Sequence, residues 1–360
     1  MTYAPNGSKE DLRKANRQLA TVIDLNKCMG CQTCVVACKN LWTVSEGTDH
    51  MRWMNVTTYP GKGYPRDYEN KGGGYRDGEP QQGSLTTMVD CGDNFRFNHD
   101  EVIREGKGKS ARLHPVTSKG KQPDWGYNWD EDSGGGEWPN PYRFYIPRMC
   151  YHCTHPACLD ACPTNALYKR EEDGIVLLDQ ERCRGYRHCI EACPYKAIYF
   201  NPVTEKSEKC ILCFPRIEKG TAPACNRQCT GRTRAFGYLD DESSQVYKLV
   251  KKWRVALPLH PEYETKPNVF YVPPWSPFAL DEDGALTNEM RLPVSLLEEL
   301  FGPDVHRALK VLAAERRKKR KGGDSELMDI LISRVWEDRF GGFTKAPLEQ
   351  FSEEEAGGKP

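Results

Sequence analysis

Apolar residues along this chain come in short bursts separated by polar and glycine-rich stretches. The first burst, Ala20-Thr-Val-Ile-Asp-Leu25, predicts a short strand that delivers a cysteine loop beginning at Cys28. The polar residues 1–19 before it predict an arm lying on a partner or on the body of the fold. Val246 to Trp253 predicts a short amphipathic helix, Ser295 to Ala314 two helical segments broken at Gly302-Pro303, and Ser325 to Trp336 a further helix. Between them Leu259 to Pro277 carries five prolines and predicts an extended arm that is excluded from the middle of a sheet.

From about Leu41 to Pro139 the chain is rich in Gly and aromatics, with Gly72-Gly-Gly74, Gly134-Gly-Gly136 and the tryptophans Trp42, Trp53, Trp125, Trp129 and Trp138. Linkers rarely carry so many tryptophans, so the stretch reads as an ordered, loop-rich insertion packed against something large.

The cysteines change the picture most. Fifteen of the 16 fall into four groups: Cys28, Cys31, Cys34 and Cys38; Cys150, Cys153, Cys158 and Cys162; Cys183, Cys189 and Cys193; and Cys210, Cys213, Cys225 and Cys229. Four thiols in the Cys28–Cys38 loop cannot all reach one tetrahedral ion. C-x2-C-x2-C-x3-C is instead the spacing with which bacterial ferredoxins wrap one iron-sulfur cluster with three thiolates and send the fourth to a neighbouring cluster. Structural zinc sites combine two separated C-x2-C pairs, and disulfide frameworks belong to small secreted chains without these repeated spacings. Cys91 stands apart and reads as a buried, inert thiol. His152, His155 and His188 neighbour cysteines in sequence, a place from which to tune a cluster, though such loop histidines are mostly incidental.

With 51 basic and 51 acidic residues the net charge is zero, which gives no reason to expect nucleic acid as a partner, and no apolar run approaches the length that spans a bilayer. Mean hydropathy is −0.72, and 31 glycines and 25 prolines imply much loop. The basic run Arg316 to Lys321 reads as a solvated helix end, or as a contact with an acidic surface or lipid headgroups. The N-terminus shows neither an apolar signal region nor a twin-arginine pair. No GxGxxG or P-loop cradle and no catalytic constellation is present.

An internal repeat relates the first group to the third at a constant offset of 155 residues, laying Asp179, Cys183, Gly185 and Ala192 on Asp24, Cys28, Gly30 and Ala37. Each such motif is followed by C-x2-C, a spacer and C-x3-C, so the chain contains two copies of one unit. The fold class is therefore α+β, with two ferredoxin-like halves, a long loop-rich insertion and a mainly helical and extended C-terminal region. The divisions are an arm at 1–19, a core of 20–40 with 141–237, the insertion 41–140, and a partner-binding region 238–360.

If the fourth cysteine of each group crosses over, proximity in sequence pairs the second group with the third and leaves the first for the fourth. Cys28, Cys31, Cys34 and Cys229 then hold one [4Fe-4S] cluster, Cys38, Cys210, Cys213 and Cys225 a second, and Cys150, Cys153, Cys158 and Cys193 a third. Cys162, Cys183 and Cys189 hold the last. There the repeat places Tyr186 where the first half has Cys31. A phenol replaces a thiolate poorly as an iron ligand, so this site is expected to hold [3Fe-4S] with the highest potential of the four; the competing reading has water or another side chain completing a four-iron site.

With these motifs, and with Lys209-Cys-Ile-Leu-Cys-Phe-Pro-Arg216, Ala224-Cys-Asn-Arg-Gln-Cys-Thr-Gly-Arg232, Gly237-Tyr-Leu-Asp-Asp241 and Leu257-Pro-Leu-His-Pro261, the chain resembles the iron-sulfur beta subunits of complex molybdoenzymes. The branch is that of nitrate, selenate, chlorate and perchlorate reductases and of ethylbenzene and dimethylsulfide dehydrogenases. The resemblance covers residues 20–40 and 141 to about 275, and an aromatic at the place of Tyr186 is common in that branch. It implies an electron-transfer subunit without an active site of its own, a partner alpha subunit carrying molybdenum bis-guanine dinucleotide, and often a haem b subunit. It also implies the nested cysteine pairing, and an order of clusters running from the Cys28 set nearest the molybdenum subunit to the Cys183 set facing the haem or carrier. The chain's length suggests the soluble periplasmic members, exported folded on a partner's twin-arginine signal; the alternative is the cytoplasmic membrane face, in a complex of the membrane-bound nitrate reductase or nitrite oxidoreductase type.

Overall fold

The computed structural model describes residues 7–91 and 134–345. Residues 1–6 of the arm, Trp125 and Trp129 lie outside the described residues. Helix α1 (Lys9–Arg13) begins at Ser8, whose hydroxyl accepts from the Asp11 amide while the Asp11 carboxylate accepts from the Ser8 N–H, a closed capping box. Leu12 drops from this helix into an apolar cluster with Leu159, Leu167 and Ile190, so this part of the arm lies on the body of the protein. Strand β1 (Leu19–Asp24) follows, buried at all six positions, and leads through the first cysteine loop into α2 (Thr33–Trp42).

Within the insertion, β2 (Met54–Tyr59) pairs antiparallel with β5 (Phe144–Met149) in register from Met54 opposite Met149 to Tyr59 opposite Phe144. The long segment thus leaves and re-enters the body through one ribbon. Between them β3 (Tyr75–Arg76) and β4 (Glu79–Pro80) form a minimal hairpin. Trp53, Tyr64, Tyr68 and Tyr75 are buried, as an ordered insertion requires, whereas Trp138 is 89% exposed.

The cysteine-rich stretch alternates short helices with short hairpins. Helix α3 (Ala157–Asp160) is followed by the pair β6 (Leu167–Lys169) and β7 (Val176–Leu178), then α4 (His188–Ala192) and the pair β8 (Ile198–Asn201) and β9 (Lys206–Lys209). Helices α5 (Phe214–Glu218) and α6 (Ala224–Arg227) lead into β10 (Arg234–Tyr238). Helices α3 and α6 both open with Pro-Ala-Cys, proline at the N-cap. Proline sets φ in advance and lacks the N–H that would go unbonded there.

Beyond, α7 (Gln245–Tyr247) widens into a π-helical turn over Lys248–Lys252 with Val246 and Leu249 buried, which is where the amphipathic pattern points. Strands β11 (Leu257–Pro258), β12 (Val269–Val272), β13 (Phe278–Leu280) and β14 (Leu286–Met290) precede α8 (Val294–Phe301) and α9 (Asp304–Arg320). These two helices are separated at Gly302-Pro303 as the sequence predicts. Helix α10 (Glu326–Ile332) is capped by the Ser325 hydroxyl, which accepts from the Met328 amide. The basic run ends α9, mostly exposed.

The largest sheet has the order β10, β1, β12, β11. Strand β1 is antiparallel to β10 and parallel to β12, and β11 closes the edge against β12. Here the sequence expectation fails: the proline-rich stretch supplies an interior strand. Pro267 and Pro273 bracket Val269–Val272 without entering it, so every ladder N–H is retained, while Pro258 sits on the edge strand, where a missing donor is tolerated. Strand β1 is buried at successive residues and not only at alternate ones, so both of its faces are covered by the rest of the body.

Candidate metal centres

The first and third cysteine loops are built on the same backbone. Gly30 and Gly185 have φ of +70° and +68°, and an added Cβ would come within 2.6 Å of the Tyr145 ring and 2.3 Å of the Glu205 carbonyl oxygen. Next but one, Gln32 and Arg187 take the left-handed conformation and start α2 and α4. These turns fold the loops back so that Cys34, Cys38, Cys183 and Cys189 are buried while Cys31 is left exposed, and all 16 cysteines are free thiols.

Electrostatic proximity sorts fifteen of them into four sets. The thiols of Cys28, Cys31, Cys34 and Cys229 line one recess, together with Arg234. Cys38 lies among Cys210, Cys213 and Cys225. Cys158 lies among Cys193, Cys150 and Cys153. Cys162, Cys183 and Cys189 line a second recess, and Tyr186, 60% exposed, stands at its rim. In each set one cysteine comes from a different group. The sets also adjoin in a row: Cys38 and Cys225 are close to Cys34, Cys210 to Cys150, and Cys189 to Cys193.

Burial is the first cause of the high proton affinity of most of these thiols. It pushes Cys28 up to about 11 and Cys189 and Cys225 up to about 12, with neighbouring thiols adding to the effect, and raises Cys38, Cys153, Cys158 and Cys210 as well. Two run the other way. Cys31 is lowered by hydrogen bonds from Thr230 and Thr33, both at 3.4 Å. Burial raises Cys162, but hydrogen bonds from Thr164 and the Ala166 amide more than offset it. N–H groups also reach the sulfurs directly: Trp42 Nε1 donates to Cys213 at 3.1 Å, Leu212 N to Cys210 at 3.4 Å and Thr233 N to Cys229 at 3.4 Å.

Cations complete the setting. Lys169 Nζ donates to the Cys153 carbonyl at 3.3 Å, Lys209 Nζ to that of Cys210 at 3.0 Å, and Lys9 Nζ to those of Leu159 at 2.7 Å and Cys162 at 2.5 Å. Lys196 Nζ donates to the Glu191 carbonyl at 2.7 Å, close to Cys193. Burial pulls Lys169 and Lys196 down to about 8. Thiolates from separate loops, peptide N–H groups on sulfur and ammonium groups beside the thiols form a setting suited to an anionic metal-sulfur group. Among the described residues no three Cys, His, Asp or Glu side chains converge as a single ion requires.

Residues 142–239 match the family described as a 4Fe-4S dicluster domain. The chain is similar to the beta subunit of chlorate reductase from Ideonella dechloratans, 54% identical across 91% of this chain and 99% of that one. The beta subunit of selenate reductase from Thauera selenatis is also 54% identical, across 91% and 99%. A respiratory nitrate reductase beta chain of Escherichia coli is 35% identical across 85% of this chain and 81% of its own. The chain belongs to this family of oxidoreductase beta subunits. It is an iron-sulfur protein.

In this beta subunit the remaining candidates divide. Cys91 is buried, pushed up to about 12 first by burial, and lies in none of the four sets. His155 stacks on Tyr75 with ring centroids 4.1 Å apart, and His188 pairs with Glu191 at 3.2 Å. His152 is buried and accepts from the Val176 amide at 3.1 Å, which leaves its proton on Nε2. The sequence reading missed Trp42 as a sulfur donor and missed Arg234 and the interior lysines. Lys209 directly precedes a cysteine and Arg234 opens a strand whose other residues carry no charge, the only local signals they give. No helix among the described residues is long and apolar enough to cross a membrane.

Proposed function

We propose that this beta subunit conducts electrons through three [4Fe-4S] clusters and one [3Fe-4S] cluster between a molybdenum bis-guanine-dinucleotide alpha subunit and a haem b subunit or external carrier. Such clusters supply one-electron exchange over a wide range of potentials. The observation that carries the reading is the row of four thiol sets in which neighbouring groups exchange a cysteine. Cys28, Cys31, Cys34 and Cys229 would hold the first cluster, Cys38, Cys210, Cys213 and Cys225 the second, and Cys150, Cys153, Cys158 and Cys193 the third. Cys162, Cys183 and Cys189 would hold the three-iron centre, with Tyr186 at its missing corner. On this reading 20–40 and 141–237 form the double ferredoxin-like core, while 41–140 and 238–360 wrap it and supply partner surface.

The two ends of the row suit different partners. Beside exposed Cys31, Met29 and Val36 are 61% and 54% exposed, an apolar rim fit to be buried against the alpha subunit. At the other end Tyr186 is flanked by exposed Arg184 and Arg187. We place the protein in the periplasm, exported folded with a partner that bears the twin-arginine signal. Support comes from the resemblance to the soluble members of that branch, to which the chain's length is suited. Purified protein should be brown and, in a potential titration followed by electron paramagnetic resonance, should show four centres. A colourless, iron-free protein would end the reading. Protease digestion of spheroplasts tests the location: a periplasmic subunit is released or cut, a cytoplasmic one is protected.

A further inference from the structure

Among the described residues several arginines are buried, and their partners differ. Arg148 donates to the carbonyls of Tyr64 at 3.1 Å and Tyr195 at 2.6 Å. Arg170 is ringed by Glu172, Asp173 and Glu218. Arg339 donates to the Ser333 hydroxyl and to the carbonyls of Ile330 and Leu331. Arg234 is 1% exposed, and its hydrogen bonds go only to two thioethers, Met54 Sδ at 3.5 Å and Met149 Sδ at 4.0 Å, while its Nε has no acceptor. Thioethers are weak acceptors for a group with five N–H donors. A guanidinium held in the interior on those terms costs roughly several kcal/mol unless an anion faces it.

Its position says which anion. Arg234 is the one charged residue of β10, opposite Ile23 of the strand that delivers the first cysteine loop. It lines the recess of Cys28, Cys31, Cys34 and Cys229. Burial works against its charge, and the thiols of Cys34, Cys225, Cys229 and Cys28 work for it. Cys225 belongs to the second set, so the guanidinium stands where the first two sets meet.

We propose that Arg234 is the shared counterion of the two clusters held by the Cys28 and Cys38 sets, and that its charge raises the reduction potential of both. The inference rests on the function proposed above and names a residue that acts on two centres without being a ligand to either. A reduced cluster carries one more negative charge than an oxidised one, so a fixed cation in a low-dielectric site favours reduction. Standing between two centres, it favours the reduction of each, and the two contributions add independently. The Cys150 and Cys183 sets are faced by Lys169, Lys196, Lys209 and Lys9 and do not share in this effect.

The test is a potential titration followed by paramagnetic resonance on the intact complex, with iron measured first. Arg234→Met matches the thioether surroundings and removes the charge; Arg234→Lys retains it. In Arg234→Met with full iron, both near centres should become harder to reduce by at least tenfold, about 59 mV for a one-electron couple, while the other two centres stay put. Arg234→Lys should keep full iron and shift both far less. A shift in one centre only, no shift, or equal shifts in both variants overturns the proposal. If Arg234→Met does not retain iron, the lysine variant decides: native iron and near-native potentials support the charge, and the same loss of iron overturns it. Wild-type protein without iron would instead refute the function, which separates the two failures.

Discussion

The loops Cys28–Cys38 and Cys183–Cys193 are the same turn carrying different side chains. Glycine φ values of +70° and +68° and left-handed residues at φ 59° and 65° recur 155 residues apart, and in both the amide three residues after the left-handed one bonds back to its carbonyl at 2.8 Å. The difference sits at one exposed position. Cys31 lies within reach of two threonine hydroxyls, whereas Tyr186 projects from the surface with its ring 6.4 Å from that of His188. The loop is thus shaped by glycine and backbone, not by the thiol at this place. Ligand number can change there while the turn stays.

The comparison can be broken most severely at a crossing cysteine. Cys229→Ser should cost the first cluster and loosen the core, read as lost iron and faster limited proteolysis; normal iron with unchanged protease resistance would refute the crossing. Next come the glycines. A side chain at positive φ costs about 1–2 kcal/mol in either loop. The obstacle at Gly185 is a backbone carbonyl, that at Gly30 the half-buried ring of Tyr145, which can turn aside. Gly185→Ala should therefore lower the melting temperature more than Gly30→Ala; the reverse order would contradict the packing described here.

A contact outside both loops supplies a control with a distinct pH signature. Glu69 of the insertion meets His260 Nε2 at 3.0 Å, and Glu262 meets Nδ1 at 2.8 Å. Burial opposes a charge on His260, but the two carboxylates more than offset it and leave the imidazole raised above its ordinary 6.5. Burial likewise opposes the Glu69 charge, yet hydrogen bonds from His260, Tyr59 and Tyr68 hold it at about 2. The histidine contribution is full below pH 6.5 and fades as pH rises through its raised value. The glutamate contribution is full above pH 4.5 and fades as pH falls toward 2. Glu69→Gln should cost about 1–2 kcal/mol, most of it between those limits, and flatten both limbs in melts taken across pH. An unchanged profile would remove the contact from the account.

The smallest expected effect is at Lys9. Its ammonium lies near Cys162 and Cys158, and Lys9→Met should lower the potential of the outermost centre slightly and leave the first two alone. Equal shifts at both ends would erase the contrast between them.

Much of the site is legible in the sequence because cysteine spacing and glycine position are local. The turns at Gly30 and Gly185, the strand before Cys28 and the break at Gly302-Pro303 all follow from neighbours in the chain. What was not legible depends on distant partners. Proline content argued against an interior strand, but only the sheet reveals that Pro267 and Pro273 stop short of Val269–Val272. Arg234 and Lys196 look like ordinary surface charges until strand pairing and helix packing bury them beside thiols. The helix at Lys9–Arg13 is too short to announce itself by periodicity, and its place is set by Leu12 and Lys9 on residues more than 140 positions away.

The difference between the two loops is tested most directly by paramagnetic resonance of the oxidised protein beside its Tyr186→Cys variant. The account predicts a three-iron signal in the native protein, its loss in the variant as the fourth thiolate completes a four-iron cluster, and a lower potential at that centre. An oxidised native protein without the three-iron signal would contradict it.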